Sequence, residues 1–347
     1  MMQETNGAAR DLSWVAPLII WYRENARKLP WREDRDPYHV WISEIMLQQT
    51  RIEAVLPYYE RFMRDYPTAE DLANAPLEDV LKHWEGLGYY SRAKNLHKAA
   101  AVIRDRGSFP DTYEEIRKLP GIGDYTAGAI AAIAFGLPET AVDGNVMRVV
   151  SRLEELEDDV MLPASRRKVD LLLREHYPEK EAGAFVQGLM ELGEVICLPQ
   201  SPKCEACPLA AHCKALAAGA QERLPVRVPK TKRRIEEMAV VIIRAAKDEL
   251  LVFKRPESGV LGGLYELPNV TADPSCSAEE ILQKMEAKYG FAPTDLAFSG
   301  TGKHVFTHIT WNMRIFAGKA DRAPEGGIWA SKNAVMLPTA FRKLLDL

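Results

Sequence analysis

The chain has 347 residues, 47% hydrophobic and 27% charged, enough for two globular domains with separate cores, and this balance excludes a disordered polypeptide. A formal net charge of −4 excludes a uniformly basic coat, so contact with nucleic acid has to come from local basic patches or uncharged donors such as backbone N–H groups. No run reaches the roughly 20 apolar residues of a membrane-spanning helix, and the N-terminus lacks a signal-peptide pattern, so a soluble protein of a bacterial cytoplasm with no membrane partner is expected.

From residue 11 to about 220 the apolar residues recur at three and four, as in "DLSWVAPLIIWYREN", "DLANAPLEDVLKHWEGL", "KVDLLLREHY" and "AGAFVQGLMELGEVIC", with Pro and Gly at the breaks. This predicts an all-α domain over 1–221. Within it "WISEIMLQQT" sets Glu44 among Ile42, Ile45 and Met46, with Gln48 one turn on. Either Glu44 is a salt-bridged residue at a domain edge, or its carboxyl is desolvated and its pKa raised.

"LPGIGDYTAGAIAAIAFG" predicts a tight turn at Gly121 and Gly123 opening a small-residue helix, whose N–H groups can face an anion; the bland alternative is a plain helix–turn–helix connection. Twenty residues after Gly123, "AVDGNVMRVV" offers Asp143 as an N-cap, with a pKa expected to be lowered by the helix dipole.

Cys197, Cys204, Cys207 and Cys213 follow C-x6-C-x2-C-x5-C, a loop that can bring four thiolates to one centre. Zinc and [4Fe–4S] compete for it. A four-thiolate zinc site usually shows two C-x2-C pairs and only one is present, which favours the iron–sulfur cluster. Cys276 lies far away and is read as packing.

"ERLPVRVPKTKRR" predicts a basic extended linker over 222–236, solvated or touching phosphate. Beyond it "MAVVII", "ELLVFKRP" and "HVFTHITWNMRIFAG" read as strands and "SAEEILQKMEAKYG" as a helix, an α+β domain over 237–347.

The hairpin, the aspartate after it and the cysteine spacing together resemble the helix-hairpin-helix endonuclease III superfamily of DNA glycosylases. "WISEIMLQQTRIEAVLPYYERF", "WEGLGYYSRAKNLHKAA", "LPGIGDYTAGAIAA" and "AVDGNVMRV" are similar to its adenine-removing family. The resemblance implies a monomer that flips adenine out of duplex DNA where it pairs with 8-oxoguanine or guanine, and hydrolyses its N-glycosidic bond. Glu44 would protonate the base and help activate water, and Asp143 would stabilise the oxocarbenium-like sugar, beside Tyr125 and Asn145. Arg32 and Glu191 would line the adenine pocket. Gln48, Thr50, Leu87, Tyr89, Gly121, Gly123 and Lys203 would meet DNA, although Tyr89 also reads as a core aromatic. Strand-cutting relatives carry a lysine where this chain has Tyr125, so strong lyase activity is not expected.

The C-terminal half resembles a nudix fold. Aligning Gly290 with the last glycine of the nudix box leaves Gln283, Lys284, Ala287 and Lys288 where an arginine and three glutamates are expected, so no oxygen shell for a divalent cation is expected. In the adenine-removing family this domain recognises 8-oxoguanine through a Phe-Ser-His loop, matched here by Phe306, Thr307 and His308; an alternating strand "VFTHITW" would put them on ordinary faces. Competing functions are an endonuclease III-like glycosylase-lyase, a non-catalytic lesion sensor and a nudix hydrolase of free nucleotides.

Overall fold

The computed structural model describes residues 13–228, 233–245 and 249–346. The chain forms two compact units, one of residues 13–80 and 91–228, the other of residues 81–90 together with 233–346.

In chain order the helices are α1 (Val15–Asn25), α2 (Pro37–Leu47), α3 (Ile52–Asp65), α4 (Ala69–Asn74), α5 (Leu77–His83), α6 (Ser91–Arg106), α7 (Tyr113–Ile116), α8 (Asp124–Phe135), α9 (Gly144–Leu153), α10 (Pro163–Glu175), α11 (Ala182–Val195) and α12 (Lys214–Ala217). Local chemistry sets their ends. Asp36 caps α2 by accepting from Tyr38 N, with Pro37 in the first turn, where its missing N–H costs nothing. Thr68 and Asp71 form a capping box on α4, and Gly136 ends α8 in the left-handed region at φ +70°. Among the described residues no helix is long and apolar enough to cross a membrane.

Helix α2 is apolar around most of its circumference because it is central: Trp41, Ile42 and Met46 are 0% exposed. Its C-terminal carbonyls are satisfied by the Arg92 guanidinium, which donates to Ile45 O (2.6 Å), Met46 O (3.1 Å) and Gln48 O (2.8 Å) and sets a cation against the negative end of the helix dipole. Helix α11 packs against α1, α8 and α9. Its closest approach to α9 needs Gly193, where a Cβ would lie 2.7 Å from Asn145 Cβ.

The stretch read as a linker is taken up at both ends. Leu224 is buried in the helical unit, Val226 O accepts from Val160 N at 3.0 Å, and strand β1 (Arg234–Ile243) starts earlier than its apolar run suggests. Residues 229–232 of that stretch, like residues 11 and 12 of the first predicted helix, lie outside the described residues.

The C-terminal unit holds β1, β2 (Glu249–Lys254), β3 (Tyr265–Glu266), β4 (Asn269–Thr271), α13 (Ala278–Tyr289), β5 (Thr294–Val305), β6 (Ile309–Lys319), β7 (Gly327–Ser331) and α14 (Thr339–Arg342). One sheet runs β4-β1-β6-β5, with β1 and β6 parallel; the other runs β3-β2-β7 and is antiparallel. The unbroken apolar run of β1 is explained by burial on both faces. Met238 and Val240 join Trp311, Met313 and Phe341, whereas Ala239, Val241 and Ile243 join Ile281 and Met285 of α13. The stretch "HVFTHITWNMRIFAG", expected as one strand, is a hairpin instead: β5 ends at Val305, the chain turns over Phe306–His308, and β6 begins at Ile309.

Gly193→Ala is expected to push α9 away from α11 and displace Asn145, with a loss of roughly 1–3 kcal/mol in chemical denaturation.

Candidate active site

Helices α2, α8, α9 and α11 surround a cleft of about 1130 Å³ that brings together Glu44, Gln48, Thr50, Gly121, Gly123, Tyr125, Asp143, Asn145, Arg32 and Glu191. Of the other residues expected at the site, Lys203 does not line this cleft, and Leu87, Tyr89 and the three of the β5–β6 turn belong to the C-terminal unit.

Glu44 is 8% exposed, and among the described residues no basic side chain forms an ion pair with it. Desolvation raises its pKa from 4.5 to about 7; Tyr125 pulls it back, and Asp143 and Glu194 add to the rise. The salt-bridged reading of Glu44 is thereby set aside. Tyr125 faces it from α8, its hydroxyl 3.6 Å from Met190 Sδ and its pKa raised by burial.

Asp143 caps α9 as its sequence setting predicts: one oxygen accepts from Val146 N at 2.7 Å, the other from Asn145 Nδ2 at 3.0 Å. Its pKa, however, is raised, contrary to expectation. Burial outweighs the two capping donors, and the neighbouring Glu194 carboxylate adds to the rise.

Glu191 is 1% exposed yet has the opposite fate. Burial pushes its carboxyl up, but hydrogen bonds from Arg27 (Nε at 2.6 Å, Nη2 at 2.9 Å) and Arg32 (Nη2 at 2.9 Å) overcome this and hold it at about 2. It is a fixed anion between two arginines, with no proton to give near neutrality. Sequence reasoning missed Arg27, which also pairs with Glu194 at the edge of the cleft. The i, i+3 spacing of Glu191 and Glu194 was the available signal.

The hairpin is formed by α7, a turn closed by Ile122 N to Leu119 O at 3.1 Å, and α8, with Gly123 at the N-cap. Gly121 is at φ +78°, and a Cβ there would come 2.6 Å from Asn95 Cβ, so only glycine fits. Both glycines are exposed on the cleft, where N–H groups can meet a phosphate. At the end of α2, Gln48 Nε2 donates to Thr126 Oγ1 at 3.3 Å.

Leu87 is 7% exposed, its side chain packed inward. Tyr90 is likewise buried, whereas Tyr89 is 46% exposed, held at φ +49°, and its hydroxyl lies 2.6 Å from Thr307 Oγ1 within the C-terminal unit. Thr307 and His308 are exposed on the β5–β6 turn, while Phe306 packs edge-on against Trp311 at 4.7 Å. In the nudix-like helix, Lys288 reaches the buried Glu266 at 3.2 Å and Asn269 O at 2.9 Å, putting an ammonium where the nudix box would bring carboxylates.

Cys197, Cys204, Cys207 and Cys213 lie on the loop after α11, with Lys203 exposed beside them. Among the described residues no three ligating side chains converge on a single-ion position. A four-iron cube takes each thiolate at a separate corner and so calls for wider spacing. Arg152 tests the fit. It is 2% exposed, donates to Cys197 Sγ at 3.3 Å and to Leu198 O at 2.6 Å, and no carboxylate pairs with it among the described residues. A buried cation needs a counter-charge, and a cluster held by four thiolates supplies one. Arg148 ties this loop to the cleft, with Nε on Cys197 O at 2.7 Å and Nη2 on Asn145 Oδ1 at 2.9 Å.

Residues 42–179 match the HhH-GPD superfamily base excision DNA repair protein model, residues 197–213 the iron–sulfur binding domain of endonuclease III, and residues 239–347 the NUDIX domain. The human adenine DNA glycosylase is 32% identical over 394 residues, covering 94% of this chain and 72% of its own. That of Buchnera aphidicola subsp. Schizaphis graminum is 31% identical over 345 residues, covering 95% and 97%. A solved structure of a thermostable thymine-DNA glycosylase is 30% identical with a TM-score of 0.53, covering 59% of this chain and 96% of that one.

Fold, cleft and cysteine loop together define a base-excision DNA glycosylase of the helix-hairpin-helix type with a [4Fe–4S] cluster and a nudix-like second domain. The chain belongs to the adenine DNA glycosylase family.

The burial of Glu44 gives a stability prediction. Its carboxyl keeps a proton in the fold up to about pH 7, while the unfolded chain loses it near 4.5, so stability falls between those values and the loss is complete above them. Glu44→Gln is therefore expected to be more stable than wild type at pH 8, by up to roughly 3 kcal/mol, with the difference vanishing near pH 4.5; urea unfolding at both pH values checks this.

Proposed function

We propose that the chain removes adenine paired with 8-oxoguanine, and more slowly adenine paired with guanine, from duplex DNA as a monofunctional glycosylase. The observation that carries this reading is a proton-bearing carboxyl, Glu44, in one cleft with a second carboxyl, Asp143.

Adenine is a poor leaving group as an anion. Glu44, with a pKa of about 7, can hold a proton at neutral pH and deliver it to N7 as the C1′–N9 bond breaks. Asp143 is held by Val146 N and Asn145 Nδ2, so its oxygens stay in place beside the positive charge that develops on the sugar. Glu44, once ionised, takes a proton from the attacking water. Arg32, pinned by Glu191, and Arg27 position the base. The cluster is no part of these steps; its four thiolates brace the loop that Arg148 and Arg152 join to α9.

Monofunctional chemistry is supported by Tyr125 at the place of the lyase lysine, and no lysine lines the cleft among the described residues. The hairpin glycines, Gln48, Thr50 and Lys203 are assigned to DNA, Tyr89 to the base stack, and Thr307 and His308 to the lesion. The exposed turn and the Tyr89–Thr307 contact support these assignments. Filling the gap left by a flipped base offsets an extrusion cost of about a few kcal/mol. A monomer acting in a bacterial cytoplasm completes the reading.

Single-turnover adenine release should be faster opposite 8-oxoguanine than opposite guanine. Glu44→Gln and Asp143→Asn should each lose roughly 10²–10⁴-fold, and borohydride should trap no protein–DNA adduct. Tight binding of the lesion duplex without any adenine release would favour the lesion-sensor reading instead, and a trapped adduct would restore the lyase.

A further inference from the structure

Behind the catalytic cleft lies a second cavity of about 340 Å³, and Arg32, Ile133 and Gln187 line both. These three side chains are therefore a partition. Away from that partition the two cavities are lined by different segments. Gly121, Gly123, Gln48 and Thr50 line only the first, whereas Arg23 of α1 and Glu181, just before α11, line only the second and are 57% and 38% exposed.

We propose that the second cavity receives the excised adenine and lets it leave on the α1–α11 face while the DNA still covers the hairpin face. The proposal rests on the reading above that the base is drawn from the duplex into the cleft. After bond cleavage the electron pair of C1′–N9 and the proton from Glu44 leave with the base, which is a neutral purine. It no longer has a covalent tie to the strand, yet the strand still stands across the way it came in.

The partition has one part suited to swing aside. Arg32 is fixed to Glu191 Oε2 at 2.9 Å and to Arg27 O at 3.2 Å, and Ile133 is 8% exposed on α8. Gln187 is half-buried, and its amide donates to Gly183 O of its own helix across a long 3.3 Å. Rotation about its side-chain torsions exchanges that weak contact for one in which the amide oxygen accepts from the N6–H and the newly protonated N7–H of the excised base. Beyond it the lining includes Tyr22, whose ring is covered by the Arg32 guanidinium 5.6 Å from its centroid, so that the guanidinium is the planar group nearest the cavity.

Ala184 lines the second cavity and is not among the residues lining the first. The test uses the whole protein with a duplex carrying ¹⁴C-adenine opposite 8-oxoguanine: acid quench counts broken bonds, and rapid nitrocellulose filtration counts adenine still held by protein. Ala184→Trp, and Glu181→Trp at the outer opening, are expected to break the bond at close to the wild-type rate but to release adenine at least about tenfold more slowly. Adenine leaving both variants as fast as it leaves the wild type, with bond breaking intact, would overturn the passage and leave the catalytic reading standing. A wild type that breaks no bond would overturn both.

Discussion

Helix α2 carries Glu44 into the interior on a segment whose neighbouring positions are Trp41, Ile42, Ile45 and Met46, all within 4% of complete burial. Water solvates the carboxylate poorly there, and the nearest polar groups only partly compensate, so the proton stays on to about pH 7. The rest of the site depends on that. Asp143 keeps its place as a cap, Tyr125 closes over the pair, and the charge on Glu194 raises the pKa of all three groups.

The contrast with Glu191 shows that burial alone does not decide protonation. Both carboxyls are nearly inaccessible, but Glu191 accepts from two guanidiniums and is held at about 2, whereas Glu44 has none in direct contact. One cleft thereby contains a group that can give a proton and an anion that anchors cationic donors. Hydrogen bonds also run from Asp143 through Asn145 and Arg148 to the carbonyl of Cys197, so the loop that holds the cluster and the carboxyl at the α9 N-terminus form one hydrogen-bonded unit.

Much of this was legible in the sequence because it is local. Helical periodicity, the Gly121 and Gly123 turn, the Asp143 cap and the cysteine spacing are each set by residues within a turn or two of one another. What was missed is set by approach between elements. Arg27 acquires its role from α11, Arg148 and Arg152 from the cluster loop, and the raised pKa of Asp143 from packing that a local cap argument omits. The β5–β6 hairpin was hidden because "FTH" contains no Gly, Asn or Asp, and two register shifts in β5 between Thr294 and Gly300 break its alternation. Leu87, expected at DNA by family likeness, is 7% exposed, a burial that its sequence setting does not announce.

The central claim is that Glu44 holds a proton near neutrality by desolvation, reinforced by Glu194. Its most direct test is a ¹³C-carboxyl NMR titration of Glu44 in the folded protein, assigned by loss of the signal in Glu44→Gln and repeated in Glu194→Gln. The account predicts a midpoint near 7 in the wild type and a lower one in Glu194→Gln. A wild-type midpoint close to the ordinary 4.5, unchanged by Glu194→Gln, would contradict it.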